Sequence, residues 1–253
     1  MKIAFTSALN NYAQQALTSL IQRYGQTSLA NADIVVALGG DGHVLRTLYE
    51  MMNIGKPVFA MRRTQSVGFL CNEFNEDDLQ ERLAKAQSVT LHPLRFSAKA
   101  VNGTTKEGLA INEVTVMRET PQSARLRVSV DGTERLAQYS GDGILVTTPT
   151  GSTAYNHSCG GPIMPLDANT LVMTAISGFR PRGWRYAVLP QAAVVDIDAL
   201  ETAKRPVRIE AGSTVVHNAA SVKIWRDNDK SLTLMFDPDQ HLGERIVREQ
   251  FMS

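Results

Sequence analysis

The sequence predicts two domains, an α/β domain built on a parallel sheet followed by a β-rich domain. Three observations carry that prediction. Strand and helix signals alternate over roughly the first ninety residues, the order of a parallel sheet with flanking helices. Asp33 to Leu38 is a continuous apolar run, as expected of a strand covered on both faces. Beyond residue 94 the helical spacing fades, and short β-like runs separated by turn signals replace it.

Taken in order, Ile3 to Phe5 reads as a short buried strand, and Asn10 or Asn11 caps the helix that follows. Ala13, Ala16, Leu17, Leu20, Ile21 and Tyr24 keep helical spacing, and Gly25 stands where that helix stops. After the Asp33 to Leu38 strand, Val44, Leu45, Leu48, Tyr49 and Met52 form one helical stripe. Pro57 to Met61 is the next strand, and Asn75 caps a polar helix with Leu79, Leu83 and Ala86 inward. The β-like runs are Phe96 to Val101, Glu113 to Met117, Arg125 to Val130, Ile144 to Thr148, Val194 to Ile197, Val207 to Ile209, Val222 to Trp225 and Leu232 to Phe236. Asn102-Gly103, Asp131-Gly132 and Asp227-Asn228 mark turns between them. His241 to Phe251 is helical again. The expected division is residues 1–94, 95–237 and a tail of 238–253.

The 253 residues are 43% hydrophobic and 20% charged, an ordinary globular balance that excludes global disorder. A chain this long hides about 70–75% of its unfolded surface. Lys and Arg number 26 against 25 Asp and Glu, so no basic field points to nucleic acid or a membrane surface, and a polyanion must be held locally. No apolar run approaches the ~18–20 residues of a membrane span. Cys71 and Cys159 are too few for a disulfide framework and read as reduced thiols, which favours a cytoplasmic location.

Gly39-Gly40-Asp41-Gly42 follows the second strand directly and opens a helix. Ligands of open α/β sheets bind at the carboxyl ends of strands, and glycines let backbone amides approach a phosphate closely. An aspartate inside such a turn is awkward, because a carboxylate repels phosphate. It makes sense as a base facing a hydroxyl, or as a group that meets phosphate through a divalent cation. A plain helix entry capped by Asp41 fits the same four letters. The turn is neither a Walker A loop nor a dinucleotide fingerprint. The second feature is the strand and loop from Gly141 to Pro162, whose Ser, Thr and Asn groups can read sugar hydroxyls and base edges. Tyr155 offers a stacking face. Asn112-Glu113 opens a β run; it can hold a ribose diol or be merely a solvated strand end.

GGDG after a hydrophobic strand, NE about seventy residues on, then GDG and TPTGSTAYNHS before GGPI resemble the NAD kinase family. GGDG alone is shared with lipid kinases and phosphofructokinases, so a lipid kinase is the alternative enzyme and an idle NAD-binding regulator the alternative from another class. The resemblance implies an N-terminal α/β domain, a C-terminal β-sandwich-like domain and a C-terminal helix returning to the first. It implies transfer of the terminal phosphoryl of ATP, with a divalent cation such as magnesium, to the 2′-hydroxyl of the adenosine ribose of NAD. It also implies a homodimer or homotetramer.

Matched position by position, Asp41 corresponds to the general base, and Gly42 lies beside the ribose and phosphates. Arg46 matches a dinucleotide contact, Phe69 either packs on adenine or is a core phenylalanine that needs no ligand, and Asn112 and Glu113 match the pair on the adenosine side. Asp142 matches the carboxylate that reads the nicotinamide amide. Thr150, Thr153, Ala154, Tyr155, Asn156, His157 and Ser158 match the loop around bases and riboses. One departure stands out. The family pattern before Gly68 reads Asn-x-Gly-x-Leu/Val-Gly-Phe, whereas this chain has Arg62-Arg63-Thr64-Gln65-Ser66-Val67, with Gln65 in place of a glycine and room for one inserted residue.

Overall fold

The computed structural model describes residues 1–62, 68–238 and Phe251. The chain forms two compact units, one of residues 1–91 rejoined by the chain from Lys230, the other of residues 92–229.

The first unit runs β1 (Ile3–Ser7), α1 (Asn11–Tyr24), β2 (Ile34–Leu38), α2 (Asp41–Met51), β3 (Val58–Arg62), β4 (Asn72–Glu73), α3 (Leu79–Lys85) and β5 (Gln87–Leu91). Asn10 caps α1, its side chain accepting from the Ala13 N–H at 2.9 Å. Strands β1, β2 and β3 are parallel neighbours, as the strand–helix alternation predicts. One face of this sheet, with Phe5, Val36, Leu38, Phe59 and Met61, packs on Ala13 and Leu20 of α1. On the other face the Thr6 hydroxyl meets His43 at 3.1 Å and Thr47 at 3.3 Å, both on α2.

The second unit runs β6 (Leu94–Ala100), β7 (Thr105–Ala110), β8 (Glu113–Arg118), β9 (Ala124–Val130), β10 (Thr133–Gly141), β11 (Gly143–Thr147), α4 (Tyr155–Ser158), β12 (Thr170–Ile176), β13 (Tyr186–Pro190), β14 (Val195–Ala199), β15 (Val207–Ala211), β16 (Thr214–Val216) and β17 (Ala219–Arg226). These strands form two antiparallel sheets, ordered β10-β9-β14-β17-β6-β7 and β13-β12-β11-β8-β15-β16. A single apolar cluster joins their inner faces, as in a β-sandwich: Phe96, Leu126, Val128 and Val195 from one sheet meet Val116, Ile144, Val146 and Ile209 from the other. Tyr139 is fully buried there, and its hydroxyl donates within reach of the Gly143 and Ile176 carbonyls at 2.8 and 3.0 Å.

Three expectations change. Leu232–Phe236, the last strand β18, does not belong to the β-rich unit; it enters the first sheet between β3 and β5, parallel to the one and antiparallel to the other. An almost wholly buried strand covers the β3 edge, which would otherwise present unpaired backbone groups. Asn75 does not cap α3. Its side chain accepts from the Asp77 N–H at 2.9 Å in a local turn, and the helix starts later, after Asp78 in the left-handed region. The helix expected at the tail lies almost wholly in residues 239–250, outside the described residues, as does the Gln65 departure. Among the described residues no helix is long and apolar enough to cross a membrane.

Candidate active site

The glycine turn of the first unit stands at the carboxyl end of β2. The N–H groups of His43 and Val44 reach back to the Gly40 carbonyl at 2.8 and 3.2 Å, so α2 begins there and Asp41 is its first residue. Gly40, not Asp41, occupies the capping position, without a side-chain bond. The Asp41 carboxylate turns instead to the chain after β3. Its Oδ2 accepts from the Phe69 N–H at 2.8 Å and its Oδ1 from the Leu70 N–H at 3.2 Å. Cys71 Sγ lies 3.6 Å from the same Oδ1 and 3.4 Å from the Gly39 carbonyl. The fit is close: a Cβ on residue 68 would stand 2.7 Å from Arg62 Cδ and 3.1 Å from Asp41 Oδ1, so a larger residue there would have to displace the Arg62 side chain. Each carboxylate oxygen keeps further acceptor capacity beyond its amide. Asp41 is thus a half-buried acceptor of fixed orientation, which rules out the plain capping role.

Gly42 and Arg46 are exposed along the first turns of α2. A Cβ on Gly42 would meet nothing within 4 Å, so packing does not demand a glycine there. His43 is pushed below its ordinary value, by burial first and then by the Arg46 charge. Phe69 contributes its backbone N–H to Asp41.

In the second unit the start of β8 and the end of β11 lie side by side, with Glu113 opposite Thr147. The Asn112 carbonyl accepts from the Thr148 N–H at 2.9 Å and the Thr147 hydroxyl at 3.1 Å, and the Thr148 hydroxyl donates to the Ile111 carbonyl at 2.7 Å. Gly151 rests on this clamp; a Cβ there would stand 2.7 Å from the Asn112 oxygen and 2.4 Å from Thr147 Oγ1. The chain then makes a single 3-10 turn, Thr150–Thr153, and enters α4. Thr150 is buried, Thr153 and Ala154 are half-buried, and Tyr155, His157 and Ser158 are exposed.

Asn156 departs from the ligand role that the resemblance implies. It is fully buried, its Nδ2 donates to the Ser152 and Pro162 carbonyls at 3.1 and 2.9 Å, and its Oδ1 accepts from Thr174 at 2.6 Å. Its side chain holds the loop shut. Asn112 and Glu113 differ sharply from it. Asn112 Oδ1 and Glu113 Oε2 are buried without a hydrogen-bond partner among the described residues, so the pair is no solvated strand end. Burial pushes the Glu113 carboxyl up to about 7.

Asp142 stands at the other end of β11, roughly 17 Å from Thr147 by strand rise. Its carboxylate pairs with Arg118 at 2.5 Å, a partner that no sequence signal marked. The Tyr155 hydroxyl lies 3.9 Å from Met117 Sδ, and burial, ahead of Cys159, Glu210 and Asp142, pushes that phenol up. The first unit therefore gathers Asp41, Gly42 and the Phe69 backbone at the glycine turn. The second gathers Asn112, Glu113 and the 150–158 loop, with Asp142 at the far end of the same strand. Sequence reasoning missed Arg118, Cys71 and Arg62, whose Nη1 is buried without a partner among the described residues.

Residues 111–228 match the family model of the ATP-NAD kinase C-terminal domain. An NAD kinase of Hyphomonas neptunium is 46% identical over 251 residues, 99% of this chain and 98% of its own. One from Mesorhizobium japonicum is 48% identical over 249 residues, 98% of this chain and 96% of its own. In fold, the yeast NADH kinase complexed with NADH matches with a TM-score of 0.84 at 18% identity, over 99% of this chain and 87% of its own. An Archaeoglobus fulgidus NAD kinase in complex with ATP matches with a TM-score of 0.76 at 22% identity, over 98% and 99%. Similarity this high along nearly the whole length establishes that the chain belongs to the NAD kinase family.

Proposed function

We infer that the protein transfers the terminal phosphoryl group of ATP to the 2′-hydroxyl of the adenosine ribose of NAD, giving NADP and ADP. The observation that carries this reading is the orphaned pair Asn112 Oδ1 and Glu113 Oε2. Two buried acceptors without donors call for a ligand rich in hydroxyl groups, and a ribose diol supplies two. Tyr155, exposed at the start of α4, offers its face to a base. The Asp142 carboxylate, oriented by Arg118, is an acceptor for the nicotinamide amide.

Asp41 takes the proton of the 2′-hydroxyl while the freed oxygen bonds to the terminal phosphorus and the bond to ADP breaks. The Phe69 and Leu70 amides fix the carboxylate for that task, and positioning is most of what phosphoryl transfer asks of a protein. Gly42, exposed and open above the turn, leaves room for phosphate oxygens. Among the described residues no three His, Cys, Asp or Glu side chains converge on a metal position. A magnesium ion would be held chiefly by donor phosphates, as this ion commonly is, with Asp41 as a candidate carboxylate ligand. When bound, the cation neutralises phosphate charge.

A homodimer or homotetramer working in the cytoplasm completes the reading. Its support is β13, an edge strand on which Tyr186 and Val188 are 44% and 49% exposed. Light scattering on the purified chain tests the assembly. The function itself is tested by incubating the full chain with NAD, ATP and Mg²⁺ and scoring NADP through an NADP-specific dehydrogenase. Absence of NADP from folded protein that binds NAD would overturn it.

A further inference from the structure

Thr174 and Asn156 are polar side chains with no exposed surface. Thr174 lies between Met173 and Ala175 of β12, whose side chains join the sandwich core, so its own side chain leaves the opposite face of the sheet. Asn156 covers it there, and the roles in that contact are forced. The Ser152 and Pro162 carbonyls, at 3.1 and 2.9 Å from Asn156 Nδ2, can only accept, so the amide nitrogen must face them. Asn156 Oδ1 therefore faces Thr174, and at 2.6 Å the hydroxyl is the donor. A Cβ on residue 161 would stand 2.1 Å from this oxygen, so the glycine there leaves Asn156 its place. Other contacts bind the loop to itself: the Ser152 hydroxyl donates to the Pro149 carbonyl at 2.7 Å and accepts from the Met164 N–H at 2.9 Å. The Thr174 hydroxyl instead ties the loop to the sheet beneath it. In that sheet Leu145 of β11 stands opposite both Thr174 and Thr115 of β8. Paired residues share a face, and Glu113 precedes Thr115 by two positions. Thr174 therefore shares its face with Glu113, whose Oε2 has no partner among the described residues.

We propose that Thr174 is a positioning residue for NAD: its hydroxyl, through Asn156, holds the 150–158 loop down on the face where Glu113 presents its unpaired oxygen. The assignment rests on the kinase reading above, and Thr174 itself touches no ligand. Without the hydroxyl, Asn156 Oδ1 is a buried acceptor that only water can satisfy, and water reaches it only when the loop lifts. NAD must then close a partly lifted loop, so its apparent affinity falls with the fraction of protein in which the loop is closed. Once NAD is bound the loop is down, and the step at Asp41 proceeds at its ordinary rate.

The test compares Thr174→Val, which keeps the shape and removes the hydroxyl, with Thr174→Ser, which keeps the hydroxyl and removes the methyl. NAD binding to the full chain is measured by calorimetry, and kcat and KM for NAD are measured at saturating ATP and Mg²⁺. Thr174→Val is expected to raise the Kd and the KM for NAD together by about tenfold, within the cost of a buried acceptor left without its donor, while kcat stays at the wild-type value. Thr174→Ser should bring both constants back to within about twofold of wild type. Wild-type NAD affinity in folded Thr174→Val overturns the proposal. So does a fall in kcat with KM unmoved, the mark of a merely structural residue that lowers the active fraction. A Thr174→Ser variant as weak as Thr174→Val also overturns it, because the methyl and not the hydroxyl would then matter. Asn156→Ala supplies a second route, since it removes the acceptor: adding Thr174→Val to it should weaken NAD no further, and a full additional tenfold loss would show that the hydroxyl does not act through Asn156. A wild-type chain that binds NAD but makes no NADP would be a failure of the kinase reading, while the calorimetric comparison of the variants would still decide the role of Thr174.

Discussion

The two units treat their carboxylates in opposite ways. Asp41 has a backbone amide on each oxygen before any ligand arrives. Glu113 buries Oε2 with no partner among the described residues, and burial lifts the carboxyl to about 7. A satisfied carboxylate holds its direction at little cost. An orphaned one costs about 1–3 kcal/mol until a donor reaches it. The first arrangement suits chemistry, where the orientation of the reacting group matters most. The second suits recognition, where ligand hydroxyls supply bonds the fold leaves unmade.

The sharpest way to break this contrast is Asp41→Asn. The amide nitrogen must face either the Phe69 or the Leu70 N–H, so one of the two anchoring bonds is lost, while the shape is kept. General-base help is lost too, worth about 10²–10⁴ in rate. The expected outcome is that kcat and kcat/KM fall together while NAD affinity, measured by calorimetry, stays near wild type. A folded Asp41→Asn enzyme with near-normal kcat would make Asp41 an anchor only. The recognition half has its counterpart in Tyr155→Ala. If the ring stacks on a base, NAD binding weakens by about 1–3 kcal/mol with kcat at saturation little changed. Unchanged affinity in the folded variant would make the ring a scaffold.

Much of this architecture is legible in the sequence, and the gaps have physical causes. Strand β9, Ala124–Val130, alternates buried and more open residues, so its period of two reveals it. Strand β12, Thr170–Ile176, is central and almost wholly buried, carries no alternation, and escapes the same reading. Leu232–Phe236 is recognisable as a strand, but its sheet is not, because partnership with β3 spans most of the chain. At the site, GGDG and the Asn112-Glu113 pair can be found from sequence because their residue types and order carry the family resemblance. That Asn156 closes its loop, that Arg118 orients Asp142 and that Arg62 lacks an acceptor cannot be found that way. Each depends on what burial places beside the side chain, not on the residue type.

Glu113→Gln sharpens the contrast through pH. The folded-state value of about 7 lies above the ordinary 4.5, so the unfolded chain loses its proton first as pH rises. The stability associated with this group is full below about 4.5 and is lost as pH rises through 7. Glutamine stays neutral throughout, so the variant should match wild type in Tm near pH 5 and exceed it near pH 8. Binding runs the other way. Ribose hydroxyls donate to the ionised carboxylate, so NAD should release a proton on binding near pH 7, seen as a dependence of the calorimetric heat on buffer ionisation. Glutamine abolishes that dependence and weakens NAD by roughly tenfold, the worth of a charged hydrogen bond. A buffer-independent wild-type heat would remove Glu113 from the ribose.

The smallest expected effect separates fold from function at the turn itself. Gly42 sits in the first turn of α2, outside the left-handed region, with nothing within 4 Å of the place a Cβ would take. Alanine there narrows the unfolded ensemble without straining the folded one, which stabilises by about 0.4–1 kcal/mol. Thermal unfolding of Gly42→Ala should therefore show an equal or slightly higher Tm. The added methyl points into the space proposed for ribose and phosphate, so the rate of NADP formation should fall although the fold gains. Residue 151 should give the reverse order of effects, because a Cβ there meets the Asn112 backbone and Thr147 and damages the second unit before any ligand is involved. A Gly42→Ala enzyme with both higher Tm and undiminished turnover would show that ligand does not approach this glycine closely, and the phosphate path would then have to lie on the Gly40 side of the turn.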